Sequence, residues 1–149
     1  MKKFRLILIL LAILFQGCKD DECNQLCFTP PQVFQFEIVD KESGENLFTN
    51  GTFDSNDITI TDILNNNEPV EFSFMSENNV NLIAIASIGW ETEIVNLKID
   101  ISDNTIFNFY VDAKIIGDCC SHTEYNEITI TDSEFEIDSQ TGVYKILVE

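Results

Sequence analysis

Phe34-Gln35-Phe36-Glu37-Ile38 alternates apolar and polar side chains without a break. Successive side chains of a strand point to opposite faces, so Phe34, Phe36 and Ile38 share one face and Gln35 and Glu37 the other. The same period-two pattern recurs over residues 58–61, 70–74, 82–88, 94–101, 106–111 and 128–131. The chain closes with an expected hairpin, 135–137 paired with 143–148 around 139–142. The breaks between these stretches are rich in turn formers: Ser43-Gly44, Asn65-Asn66-Asn67, Asn78-Asn79 and Asp103-Asn104. Asn50-Gly51 is a hairpin signal, because a type I′ turn needs positive φ at both central residues. Residues 58–64 can be read as a helical stripe, but their Thr and Ile content favours a strand. Short strands separated by frequent turns predict an all-β chain, a single β-sandwich of about 7–9 antiparallel strands. Immunoglobulin-like and transthyretin-like topologies both fit. Ile-Thr-Ile-Thr-Asp occurs at 58–62 and again at 128–132, a match between common strand residues that carries no weight.

Working back to the N-terminus, Lys2, Lys3 and Arg5 precede an apolar run over residues 6–15, followed by Gly17 and Cys18. This is the layout of a secretory signal with a small residue at the cleavage point. The run is shorter than the ~20 apolar residues needed to cross a bilayer. Leu14-Phe15-Gln16-Gly17-Cys18 resembles the lipobox of bacterial lipoprotein precursors; Gly17 and Cys18 match the pattern, whereas Phe15 and Gln16 depart from it. The resemblance implies removal of residues 1–17 and lipidation of Cys18, and two or more acyl chains give stable anchoring. Secretion by an ordinary signal is the alternative. Lys19-Asp20-Asp21-Glu22 resembles the lysine-plus-acidic export signal of Bacteroidota surface lipoproteins. It implies an outer-membrane protein displayed at the cell surface, with a periplasm-facing location as the other possibility. The expected organisation is a signal peptide (1–17), a tether (18–32) and a sandwich domain (33–149).

From Cys18 onward the chain holds five lysines, no arginine and all 26 acidic residues, a net charge of −21. That balance argues against nucleic acid, whose binding draws on clustered Lys and Arg. It also argues against arginine clamps for phosphate or carboxylate substrates. A hydrophobic content of 44% with twelve phenylalanines opposes disorder. The membrane is expected to be reached through the lipid, and a protein or glycan at the cell surface is the expected partner.

Cys23, Cys27, Cys119 and Cys120 remain after Cys18, an even number in an oxidising compartment. Two disulfides are expected, with three possible connectivities. A bond between adjacent cysteines is strained, so pairing leader to late loop is geometrically easier. One such bridge closes a loop of nearly a hundred residues, worth roughly 4–5 kcal/mol in the chain-entropy model. Zinc is the competing use, with His122 as a further ligand, although Cys-Cys adjacency is poor ligand spacing.

His122 is the only histidine. Ser121 could serve beside it, but no Gly-x-Ser-x-Gly elbow occurs, and no phosphate loop, dinucleotide fingerprint or zinc-protease motif appears. No catalytic residue, metal or cofactor is expected. Trp90 after Gly89 is a candidate sugar-stacking platform, with Tyr110 or Tyr125 as companions; a core or rim tryptophan is the bland alternative. Asp54, Asn56 and Asp57, or Asp100, Asp103 and Asn104, offer oxygen ligands for calcium but lack the EF-hand pattern. The leading expectation is a non-enzymatic, lipid-anchored surface module. The alternative is a carbohydrate-binding lipoprotein using Trp90.

Overall fold

A computed structural model describes residues 27, 29–77, 80–117 and 120–149. The signal segment, Cys18, the 19–22 motif, Cys23, Asn78-Asn79 and Cys119 lie outside the described residues. Ten strands follow in order: β1 (Phe34–Asp40), β2 (Ile58–Asp62), β3 (Glu68–Pro69), β4 (Ser73–Glu77), β5 (Val80–Ile85), β6 (Glu93–Ile101), β7 (Asn104–Ile116), β8 (His122–Thr131), β9 (Glu134–Ile137) and β10 (Tyr144–Val148). They form two five-stranded sheets, ordered β4-β5-β1-β10-β9 and β3-β2-β6-β7-β8. The two sheets pack face to face as a β-sandwich.

The period-two reading accounts for the core. Phe34, Phe36 and Ile38 of β1 are fully buried, as are Phe107, Phe109 and Val111 of β7 in the opposite sheet. Phe36 meets Phe109 edge-on at 4.9 Å between ring centroids and Phe107 at 5.0 Å. Phe34 meets Phe109 edge-on at 4.9 Å. The two edge-on contacts of Phe109 place a positive ring edge against a negative ring face, while the Phe36–Phe107 pair is tilted. Val95, Leu97, Ile99 and Ile101 line the inner side of β6, while Asn96, Lys98 and Asp100 face outward. Among the described residues the one buried charged residue is Asp62 at the end of β2. Its Oδ1 accepts the Leu64 and Asn96 N–H groups at 3.0 and 3.1 Å, joining a turn to the neighbouring strand.

Three expectations need correction. The sheets are not wholly antiparallel: β1 runs parallel to β10, with Phe36 opposite Tyr144 and Ile38 opposite Ile146. Hydrophobic alternation has the same period in both pairings, so it carries no information on strand direction. The first strand is also central in its sheet, which departs from the immunoglobulin order in which it lies at an edge. Asn50-Gly51 does not close a hairpin, because β1 and β2 belong to different sheets and the chain must cross between them there. Asn46 winds that crossing by accepting the Phe48 and Thr49 N–H groups at 3.0 and 3.1 Å, and of the Asn-Gly pair only Gly51 has positive φ (+80°). Finally, the 70–74 strand begins later, at Ser73. Residues 68–70 still run along the edge of β2, with the Val70 N–H donating to the Ile60 carbonyl at 2.9 Å, before the chain crosses to the other sheet.

Candidate functional site

The two ends of the sandwich differ in character. β7 runs from Asn104 at one end to Ile116 at the other, and β8 returns from His122, opposite Ile116. The leader meets the sandwich at the Ile116/His122 end. Cys27 is bonded to Cys120 across a sequence separation of 93, as expected for a leader-to-late-loop bridge. Cys23 and Cys119, the other two cysteines expected to form a bridge, lie outside the described residues.

Further contacts hold the leader beyond the bridge. The Gln32 N–H donates to Tyr125 Oη at 3.0 Å. The Tyr125 ring is edge-on to Phe34 at 5.4 Å, so this side chain is a strut between leader and core. Desolvation holds its hydroxyl above the ordinary tyrosine pKa; the nearby Glu93 adds to this, and the Gln32 bond opposes it. Gly89 packs beneath the strut with φ of +91°; a Cβ there would lie 2.9 Å from both Thr123 Cγ2 and Tyr125 Oη, and 3.3 Å from Pro31 Cβ. Only glycine meets both demands. The Gly89 N–H donates to Glu93 Oε1 and its carbonyl accepts the Thr123 hydroxyl, each at 2.6 Å.

Trp90 projects from this pinned turn. The residue is 57% exposed, and its Nε1–H donates to the Ala86 carbonyl at 2.7 Å. A small cavity of about 100 Å³ lies beneath it, bounded by Thr29, Pro31, Ser121 and His122 among others. The sequence-proposed companions are placed apart. Tyr110 lies on the outer face of its sheet, opposite Asn96 and Thr129. Tyr125 is near Trp90 in the fold, but its ring is turned to Phe34 and its hydroxyl to the leader. His122 stands exposed at the start of β8.

At the opposite end a cleft of about 680 Å³ opens between the sheets, near Phe53, Thr105, Ser133 and the last residues of β10. Lys41 sits at its rim, its Nζ 2.9 Å from Glu134 and 3.2 Å from Glu149. Hydrogen bonds from Lys41 to those two carboxylates hold the ammonium above the ordinary lysine pKa. Nothing in the sequence pattern singled out this cleft, since Lys41, Thr105, Glu134 and Glu149 come from four separate segments.

Of the carboxylates considered for calcium, Asp54, Asp57 and Asp100 are engaged within the chain. Asp54 accepts the Asn56 N–H at 2.9 Å and caps a short 3-10 turn. Asp57 accepts the Ser102 hydroxyl at 3.0 Å. Asp100 pairs with Lys98 at 2.8 Å and accepts the Thr105 hydroxyl at 2.7 Å. Burial pushes the Asp100 carboxyl pKa up, but those two partners outweigh it and hold it below the ordinary value. Among the described residues no three His, Cys, Asp or Glu side chains converge as a metal site. Comparisons with family models, curated proteins and solved structures find no match to this chain.

Proposed function

We propose that the chain is a non-enzymatic lipoprotein, anchored in the outer membrane through Cys18 and displayed at the cell surface as an interaction or accessory module. The observation that supports this reading is the clasp. Cys27–Cys120, the Gln32–Tyr125 bond and the Pro31–Gly89 approach fix the chain that leads from the lipid to one end of a rigid sandwich. A merely secreted domain has no need of a defined attachment point, whereas a tethered one gains a fixed orientation. Nine residue steps separate Cys18 from Cys27, a reach of at most about 32 Å. The Lys41 cleft then points away from the bilayer, where a soluble protein or glycan partner can reach it.

The exposed Trp90 ring keeps the carbohydrate reading in view, although neither proposed tyrosine presents a ring beside it. Protease treatment of intact cells tests display. The sandwich is expected to be degraded or shed from intact cells while a periplasmic control protein survives. Protection until the outer membrane is broken would contradict surface exposure.

A further inference from the structure

We infer that the Trp90 end of the sandwich rests on the bilayer that holds the lipid, with Trp90 inserted at the headgroup level; this rests on the lipid-anchored reading above. Three observations meet here. The first is position: the chain outside the described residues joins the domain at Cys27, and Thr29 and Pro31 bound the cavity beneath Trp90. The tether therefore attaches at the Trp90 end, with Cys27 at most about 32 Å from the lipid.

The second is charge. Among residues 29–33, 86–92, 115–117 and 120–123, immediately around Trp90, Glu91 is the only acidic side chain, while Glu71, Glu93 and Asp138 sit on the same end of the sandwich. The loops at the far end hold Asp40, Glu42, Glu45, Asp54, Asp57 and Asp103, with more carboxylates around the cleft. Close around Trp90 this strongly acidic domain thus carries fewer carboxylates than at its far end. Contact with a low-dielectric surface is least costly there, and an anionic leaflet would repel the opposite end.

The third is the state of the Trp90 turn itself. Indole rings favour the membrane interface because they combine an apolar body with one polar N–H. In this turn that N–H is already donated to Ala86, and the Gly89 N–H and carbonyl are both paired. Moving the tip out of water therefore strands none of these polar groups, whose unpaired burial is costly. The φ of Gly89 and its close packing against Thr123 and Pro31 keep the tip preformed.

Trp90 is the only tryptophan, so indole emission reports on this position alone. The full lipidated protein, reconstituted in phosphatidylcholine vesicles, is to be compared with and without brominated acyl chains. The expected result is vesicle flotation, a blue-shifted emission, strong quenching by bromines close to the headgroup and protection from aqueous iodide. A second reporter, Asp103→Trp in a Trp90→Phe background, marks the far end, roughly 30 Å away along β6. It is expected to be quenched by iodide and untouched by bromolipid. Flotation with Trp90 open to iodide and unquenched by bromolipid would overturn the inference while leaving the anchor intact. Failure to float, with no lipid mass on the protein, would overturn both.

Discussion

Replacing Cys27 and Cys120 by serine, in a background that already carries serine at 23 and 119, isolates one cross-link. The bond joins positions 93 residues apart. In the chain-entropy description, closing a loop of that length removes about 4.6 kcal/mol of freedom from the unfolded chain at 25 °C. On the native side little should change, because the Gln32–Tyr125 bond and the Pro31 contact still seat the leader. A domain of this size has about 5–15 kcal/mol of stability, so the clasp supplies a third or more of it. Urea slopes of about 1–3 kcal/mol per molar translate the loss into a midpoint lower by about 2 M. Equilibrium unfolding followed by fluorescence and far-UV dichroism measures it directly. A steeper slope is also expected, since an uncrosslinked chain exposes more surface on unfolding. Coincident midpoints for the bridged and unbridged proteins would refute the reasoning.

Gly89→Ala should cost about 2–3 kcal/mol, from positive φ and the close approach of Thr123, Tyr125 and Pro31. Gly142→Ala, with positive φ but open space around it, should cost about 1–2 kcal/mol; paired thermal melts check the difference. Asp62→Ala strands the Leu64 and Asn96 N–H groups and should lower stability by about 2–4 kcal/mol, read by urea titration. Burial raises the pKa of Tyr125 and of Tyr144, so above pH ~10 the unfolded chain ionises first and the fold loses protons late. Stability is therefore complete below that pH and falls as pH rises through the folded values; flat unfolding free energies from pH 9 to 11.5 would contradict this. At the acid end, the Ser43 and Glu42 backbone N–H groups hold Asp40 below the ordinary carboxylate range, and those of Gln140 and Thr141 do the same for Asp138. Their contribution is present above pH ~3.9 and is lost as pH falls through the lowered values, so NMR titration should find these two among the last carboxylates to protonate.

The alternation of Phe34, Phe36 and Ile38 was enough to predict the sheet class and the buried face, because side-chain direction in a strand depends only on parity. Strand direction and strand order depend on which distant segment supplies the backbone partner, and alternation is silent on that. The parallel β1–β10 pair and the central place of β1 were illegible for this reason. Asn50-Gly51 misled because its turn chemistry is local while the crossing between sheets is global. Among the candidate site residues, a leader-to-late-loop bridge was readable from the even number and placement of the cysteines, but that Cys27 takes Cys120 rather than Cys119 was not. The role of Tyr125 was not, since a strut and a stacking platform have the same sequence signature. Gly89 preceding Trp90 in a strand break was the available hint of a pinned turn, yet its partners Thr123 and Pro31 come from distant segments.

The most direct test is the mass of the N-terminal peptide of protein extracted from its native membrane. The expected peptide begins at Cys18 and carries a diacylglycerol thioether, with or without a third acyl chain. A peptide that retains residues 1–17, or that begins elsewhere and leaves Cys18 unmodified, would contradict the central claim.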